Sequence, residues 1–325
     1  MKLETTVTSS PHISSKNNTQ SIMLDVIIAL IPAGIAGICN FGESAFSVIA
    51  VSVICCMLFE YIWNRLMHKP NSLGDLSAII TGLLLAYNLP PNLPLWIVAI
   101  GAFFSIIIAK QLFGGLGGNF VNPALAGRAF LLAGWAKNMT SWLSPSFFGL
   151  DSISTATPLA MIKSGNLADL PPLTDVFIGN IGGCIGETSS VLLIAGGIYL
   201  IIRKVISYRT PAAFIGTVAV LTFIFGGGKN PSEAFNIMLY SIFSGGLILG
   251  AFFMATDYTT SPVTAKGQVI MGIGCGIITT AIRLVGGYPE GVSYSILLMN
   301  IASPLIDRFT RPTPFGHRKK SKEAA

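Results

Sequence analysis

The 325-residue sequence predicts an all-α integral membrane protein of about ten transmembrane helices, arranged as a 5+5 inverted repeat with broken helices. Three observations carry that expectation. Charged residues make up only 10% of the chain, against roughly 25% in an ordinary soluble domain, while 52% are apolar and mean hydropathy is +0.69. About ten apolar windows follow one another, each near the 20 or so residues that cross a hydrocarbon core of roughly 30 Å. Lys and Arg are segregated between the loops that these windows define. The scarcity of charge argues against a water-soluble globular enzyme. The 35 glycines suit helices that approach one another closely in a membrane.

Taken in order, residues 1–21 form a polar tail rich in Ser, Thr and Asn. It lacks the charge, short apolar core and cleavage site of a signal peptide, so it is expected to stay in the cytoplasm. Windows at 22–40, 44–64, 73–90, 93–112 and 121–136 make a first five-helix repeat, residues 22–136. Pro90-Pro91 closes the third window and Asn122-Pro123 opens the fifth. Residues 137–175 form the longest connection, expected outside the cytoplasm. A second repeat, residues 176–307, holds windows at 176–201, 211–227, 233–255, 268–286 and 290–307. Residues 308–325 are a basic tail that includes His317-Arg318-Lys319-Lys320-Ser321-Lys322. That tail accounts for most of the net charge of +6, which makes membrane lipid its expected partner rather than nucleic acid.

With both termini inside, 15 of the 20 Lys and Arg residues fall on the cytoplasmic side, Lys110 among them. Only Lys137, Lys163 and Lys229 lie outside, and Arg128 and Arg283 fall within spans. An odd number of spans inserted twice gives halves of opposite orientation, the inverted repeat of many transporters. Internal similarity points the same way. Residues 80–88, ITGLLLAYN, run into Pro90, and residues 248–257, ILGAFFMATD, run into Pro262, with a one-residue insertion in the second copy. In each half an apolar run gives way to polar, Pro-rich backbone. Non-helical backbone at membrane depth is tolerated only where it is buried or lines a cavity, so both breaks are candidate ligand sites.

The connection at 137–175 contains Asp151, Ser154, Ala156 and Thr157 in the pattern D-x-x-S-x-A-T-P-L. By itself a Ser/Thr-rich decapeptide reads as an exposed loop. Here it resembles the flavinylation motif of the membrane subunits of Rnf complexes and of sodium-pumping NADH:quinone oxidoreductases. Further blocks strengthen the resemblance: K-Q-L-F-G-G-L-G-G-N from Lys110, Asn122-Pro123-Ala124, Phe253 to Asp257 with Ser261-Pro262, and Gly286-Gly287-Tyr288-Pro289-Glu290-Gly291-Val292. The short amino-terminal extension resembles the D-subunit branch more than the B-subunit branch. The resemblance implies FMN joined through its phosphate to Thr157, with Asp151, Ser154 and Ala156 read by a flavin transferase. Thr155 stands where the family often has Gly. Also implied are a noncovalent riboflavin and a bacterial or archaeal cytoplasmic membrane. The implied partners are the other Rnf subunits, among them a second covalent-FMN subunit and iron–sulfur membrane subunits. Such a complex exchanges electrons between ferredoxin and NAD while moving Na+ or H+, and this subunit alone is not catalytically complete.

The chemistry behind the motif is simple. A threonine hydroxyl can form a phosphoester, which retains a flavin that would otherwise dissociate, while the protein supplies position, hydrogen bonds and local charge. Charged residues inside spans cost a few kcal/mol each by insertion scales and are functional candidates by default. Arg283 is expected on the Thr157 side, either offsetting the FMN charge or snorkelling at a helix end. Arg128 is expected either in the flavin environment or paired with Glu60 or Glu187. Glu60, Glu187 and Asp257, with Asp25 and Asp75, are candidates for an ion path or for structural pairing. The five cysteines read as small apolar packing residues, and the three histidines have no metal-ligand spacing. Glycines 114–118 match no phosphate-binding pattern and read as a tight turn. A rival function, a non-redox channel or facilitator for a small solute, fits the same repeat and is separated from the first by the Thr157 motif.

Overall fold

A computed structural model describes residues 18–145, 155–166, 169–187, 189–287 and 290–312. Helices make up the regular structure of these residues, and no strand is present among them. Helix α1 spans Thr19–Phe41, where Asn18 accepts from the Ser21 amide at 2.8 Å and Ser21 Oγ accepts from the Asn18 amide at 3.1 Å. This reciprocal cap satisfies two of the amides that every helix start leaves over. Leu24, Ile28, Ile31 and Ile35 form an exposed apolar stripe on α1, while Ala29, Ala33, Gly34 and Gly37 are buried on its inner side. A helix with its large apolar residues outward and its small ones inward is built for lipid.

The other helices are α2 (Glu43–Leu66), α3 (Ser77–Tyr87), α4 (Leu95–Gln111, π-helical from Phe104), α5 (Pro123–Gly134), α6 (Ala136–Met139), α7 (Pro158–Lys163) and α8 (Leu173–Ile178). They are followed by α9 (Ser190–Ile202), α10 (Arg209–Phe225), α11 (Pro231–Phe243), α12 (Leu247–Met254), α13 (Ala265–Leu284) and α14 (Val292–Thr310). Helices α1, α2 and α13 are each long and apolar enough to cross a membrane. Helices α11 and α12 qualify together, bent by 57° at their junction. Each of the ten expected windows contains a helix. The window at 176–201 needs correction, because α8 stops at Gly179, whose φ is +107°, and α9 starts only at Ser190. The intervening stretch is irregular apart from a single 3-10 turn at Ile185–Glu187, and its Gly182 and Gly186 let Thr155 and Tyr87 approach where a Cβ would clash.

Close packing on the inner faces depends on small residues. A Cβ at Gly272 of α13 would lie 2.7 Å from Ala213 Cβ and from the Thr210 carbonyl of α10, so the two backbones meet where only glycine fits. At the α11–α12 bend, Gly245 and Gly246 both adopt the left-handed region, φ +68° and +65°, which L side chains rarely enter. The bend also faces the candidate site.

Candidate functional site

The two segments that resemble each other in sequence meet inside the protein. Asn88, at the end of α3, donates from Nδ2 to the Leu84 carbonyl at 2.7 Å and lies 3.6 Å from Met254 Sδ at the end of α12. Asn122 caps α5 by accepting from the Ala124 amide at 3.1 Å, and its Nδ2 donates to the Met254 carbonyl at 3.4 Å. This cap fixes the start of α5 and thereby the height of Arg128 in its second turn.

Arg128 is buried and fully engaged. Its Nη1 donates to Asn88 Oδ1 and to Ser293 Oγ, each at 3.0 Å, and its Nη2 donates to Cys184 Sγ at 3.6 Å and forms an ion pair with Glu290. The expected partners were Glu60 or Glu187, and the ion pair corrects that. Glu60 is instead bound to Lys110 Nζ at 2.7 Å, with both side chains almost wholly buried. Lys110 is therefore a core residue of α4 rather than a cytoplasmic loop charge. Ser77 Oγ accepts a second bond from Lys110 at 2.6 Å, and Ser72 donates to Glu60 at 2.6 Å. Asp25 pairs with Arg203 at 3.1 Å and accepts from Tyr199 at 2.9 Å, and Asp75 accepts from the Ser77 amide at 2.8 Å.

Glu187 lies beside the Arg128 cluster. Cys184 Sγ and one carboxylate oxygen each of Glu187 and Glu290 fall within 4.8 Å of one another, a spacing a cation can bridge. Cys184 is thus part of a polar cluster, not a packing residue alone. Glu187 Oε1 and Glu290 Oε1 are both buried without a hydrogen-bond partner among the described residues.

Arg283 is buried and does not snorkel. It lies near the end of α13 and donates to the carbonyls of Ser241 at 2.6 Å, Gly245 at 3.2 Å and Ser244 at 3.3 Å. These carbonyls belong to the last turn of α11 and to the bend, where the backbone has no helical partners left. Arg283 is therefore a clamp on the α11–α12 bend, neither snorkelling nor lining the Thr157 cavity. It approaches Thr157 only through Gly245, against which Leu159 of α7 packs.

Thr157 caps α7, its Oγ1 accepting from the Ala160 amide at 3.3 Å. It lines a cavity of about 460 Å³ together with Arg128, Leu132, Trp142, Thr155, Ala156 and Glu290. Pockets for small molecules begin at roughly 300 Å³, so the space suits a substantial ligand. Thr155 Oγ1 in the same wall is buried against Gly182 and, like Glu290 Oε1, has no hydrogen-bond partner among the described residues. Asp151 and Ser154 lie outside the described residues. Lys163, at the end of α7, donates to the Gly286 carbonyl, which joins this segment to the turn that carries Glu290.

A second cavity, of about 100 Å³, lies among α1, α3, α12 and the glycine-rich turn after α4, and Lys110, Asn119, Asn122 and Asp257 are among its lining. Asp257 accepts from Thr260 Oγ1 at 3.2 Å and is remote from the Glu187 cluster. The glycine run forms a turn, as expected.

Glu290 is the member of this cluster that sequence reasoning did not single out. The signal was present, since a buried arginine demands a carboxylate and Glu290 stands at the mouth of the tenth window, but the pair is separated by 162 residues.

Comparison with known proteins agrees with this architecture. A protein of Acetobacterium woodii, named as the D-subunit of a Na+-translocating ferredoxin:NAD+ oxidoreductase complex, is 51% identical over 327 residues, covering 99% of each chain. One of Clostridium ljungdahlii, named as the D-subunit of a proton-translocating complex of the same kind, is 45% identical over 322 residues, 97% of each. The D-subunit of an ion-translocating oxidoreductase complex of Ectopseudomonas mendocina is 33% identical, covering 95% of each chain. Residues 6–316 match a single family, and with relatives this similar over nearly their whole length, the chain belongs to the NQR2, RnfD, RnfE family.

Proposed function

We propose that this chain is the membrane flavoprotein subunit of an Rnf-type complex, relaying electrons through FMN bound covalently at Thr157 during ferredoxin:NAD oxidoreduction coupled to Na+ or H+ translocation. Membership of the family and the names of its relatives support the complex. The observation that supports the flavin is the placement of Thr157 in the wall of a largely apolar cavity that Arg128 and Glu290 also line. When bound there, FMN supplies the electron-accepting ring, and the chain supplies the surroundings. Thr157 offers the oxygen for the phosphoester; capping of α7 uses a lone pair on that oxygen, while esterification consumes the O–H bond. Arg128 supplies a positive charge beside the phosphodiester. Leu132 and Trp142 provide apolar wall for a planar ring, and Thr155 adds a hydroxyl.

A noncovalent riboflavin belongs in the second cavity, where Asn119, Asn122 and Asp257 provide hydrogen-bonding groups. At about 100 Å³ that cavity is smaller than ordinary ligand pockets, so binding requires its walls to separate. The ten helical stretches cross the membrane as two five-helix halves of opposite orientation, with both termini in the cytoplasm and the 137–175 connection outside. Iron–sulfur subunits, a second covalent-FMN subunit and a flavin transferase complete the chemistry. Glu60 and Asp25, each held in an ion pair, are structural pairs, which leaves Glu187 and Asp257 as the candidates for an ion path.

The test is direct. The peptide containing Thr157, taken from the purified complex, should carry the mass of FMN less one water, and the band should fluoresce on a denaturing gel. Thr157→Ala should abolish both while the chain still inserts. An unmodified native peptide would leave the inverted-repeat solute channel as the better reading.

A further inference from the structure

We propose that Glu290 is a positioning and tuning residue for the flavin at Thr157, holding the Arg128 guanidinium in the wall of the cavity and offsetting part of its charge. This rests on the reading of Thr157 as the FMN attachment site. It goes beyond that reading by assigning the control of redox poise to one ion pair.

The geometry makes the pair a unit. Four side chains from four segments grip Arg128: Asn88 behind α3, Cys184 in the loop before α9, Glu290 before α14 and Ser293 within it. Three of the four contacts are to uncharged groups, so Glu290 alone compensates the charge directly. Arg128 and Glu290 both line the cavity that Thr157 lines. The electrostatics of that cavity therefore depend on a cation and an anion placed together, and an added negative charge feels both. Glu187 and Arg283 are both close enough to act on the pair, but neither lines the cavity, and both Nη groups of Arg283 are bound to carbonyls of the α11–α12 bend.

The direction of the effect follows from charge. An electron arriving from a one-electron iron–sulfur carrier adds one negative charge to the occupant of the cavity. Arg128 favours that state and Glu290 opposes it, and because both side chains are largely buried their charges are screened less than they would be in open water. Removing the Glu290 charge leaves Arg128 uncompensated and raises the potential. Removing the Arg128 charge leaves Glu290 uncompensated and lowers it.

The experiment uses the purified complex with Glu290→Gln, Glu290→Asp and Arg128→Gln. Mass analysis of the Thr157 peptide comes first, followed by a redox titration of the Thr157-linked flavin by absorbance. Glu290→Gln should retain the FMN and shift the oxidised–reduced equilibrium about tenfold toward the reduced form, which is 59 mV for a one-electron couple. Glu290→Asp keeps the charge but withdraws it by one methylene, so it should move the potential part of the way in the same direction. Arg128→Gln should move it the opposite way. A purely structural role for Glu290 would alter assembly or heat stability but leave the potential of the assembled complex in place. If Glu290→Gln fails to assemble, Glu290→Asp decides. An unchanged potential with FMN attached, in every Glu290 variant that assembles, overturns the proposal. Absence of FMN from the unaltered peptide instead overturns the reading on which it rests.

Discussion

Arg283 and Arg128 are both buried guanidiniums in apolar helices, yet their surroundings give them different work. Arg283 faces three backbone carbonyls and packs behind Gly245, so its charge is neutralised by dipoles that a helix end leaves free. Arg283→Gln should therefore cost on the order of 3 kcal/mol of stability, the scale of losing hydrogen bonds from a charged donor to buried acceptors. That loss is measurable as an earlier thermal transition of the detergent-solubilised complex. The potential of the Thr157-linked flavin should shift less than in Arg128→Gln, because Arg283 does not line the cavity. From sequence alone Arg283 falls near a helix end and Arg128 deeper in a span, but the partners of neither can be named correctly. What separates them is the bend at Gly245-Gly246 and the arrival of Glu290 from 162 residues away, neither of which leaves a local signal. The role proposed for Thr157, by contrast, rests on a contiguous motif, which is a local signal.

At the level of helices, two contacts invite measurement. Glycine at 272 lets α13 meet α10, so Gly272→Ala should destabilise by about 1 to 3 kcal/mol, the usual cost of overpacking. Gly216→Ala on α10, where an added Cβ meets nothing within 4 Å, should be neutral or stabilising by up to about 1 kcal/mol through helix propensity. A comparison of their thermal transitions separates close packing from propensity. The Lys110–Glu60 pair ties α4 to α2 with both side chains buried. Breaking it from one side should cost about 3 to 5 kcal/mol, because the other charge is left alone. Lys110→Met combined with Glu60→Met should cost less than the sum of the singles, and a double-mutant cycle on heat stability reads the difference. If the two single costs simply add, the pair is not coupled. The apolar windows located the helices well because hydropathy is a local property. Lys110 was misplaced for the complementary reason: at the end of a span a buried lysine and a loop lysine look the same until the partner, 50 residues earlier, is found. The late start of α9 escaped because apolar composition alone does not separate the irregular stretch before it from helix.

For the whole molecule, the connection holding Thr157, the turn holding Glu290 and the end of α13 gather at one end of the helices. Lys163 donating to the Gly286 carbonyl and Arg128 pairing with Glu290 are the joints. The face to which that end is turned is then a single question for the whole protein, and the distribution of Lys and Arg supports the orientation proposed. Moving Lys110 from loop to core leaves fourteen basic residues on the proposed cytoplasmic side against three outside, so the bias survives the correction. Ser164, exposed at the end of α7, is the place to ask. The background for a Ser164→Cys probe need replace only Cys39 and Cys55, because Cys56, Cys184 and Cys275 are buried, and Cys184 must stay to hold Arg128. An impermeant thiol reagent should label Ser164→Cys in right-side-out vesicles and leave it unlabelled in sealed inverted ones. The reverse pattern would put the flavin on the cytoplasmic face and would require the basic tail after α14 to lie outside, against the charge rule that otherwise orients the chain.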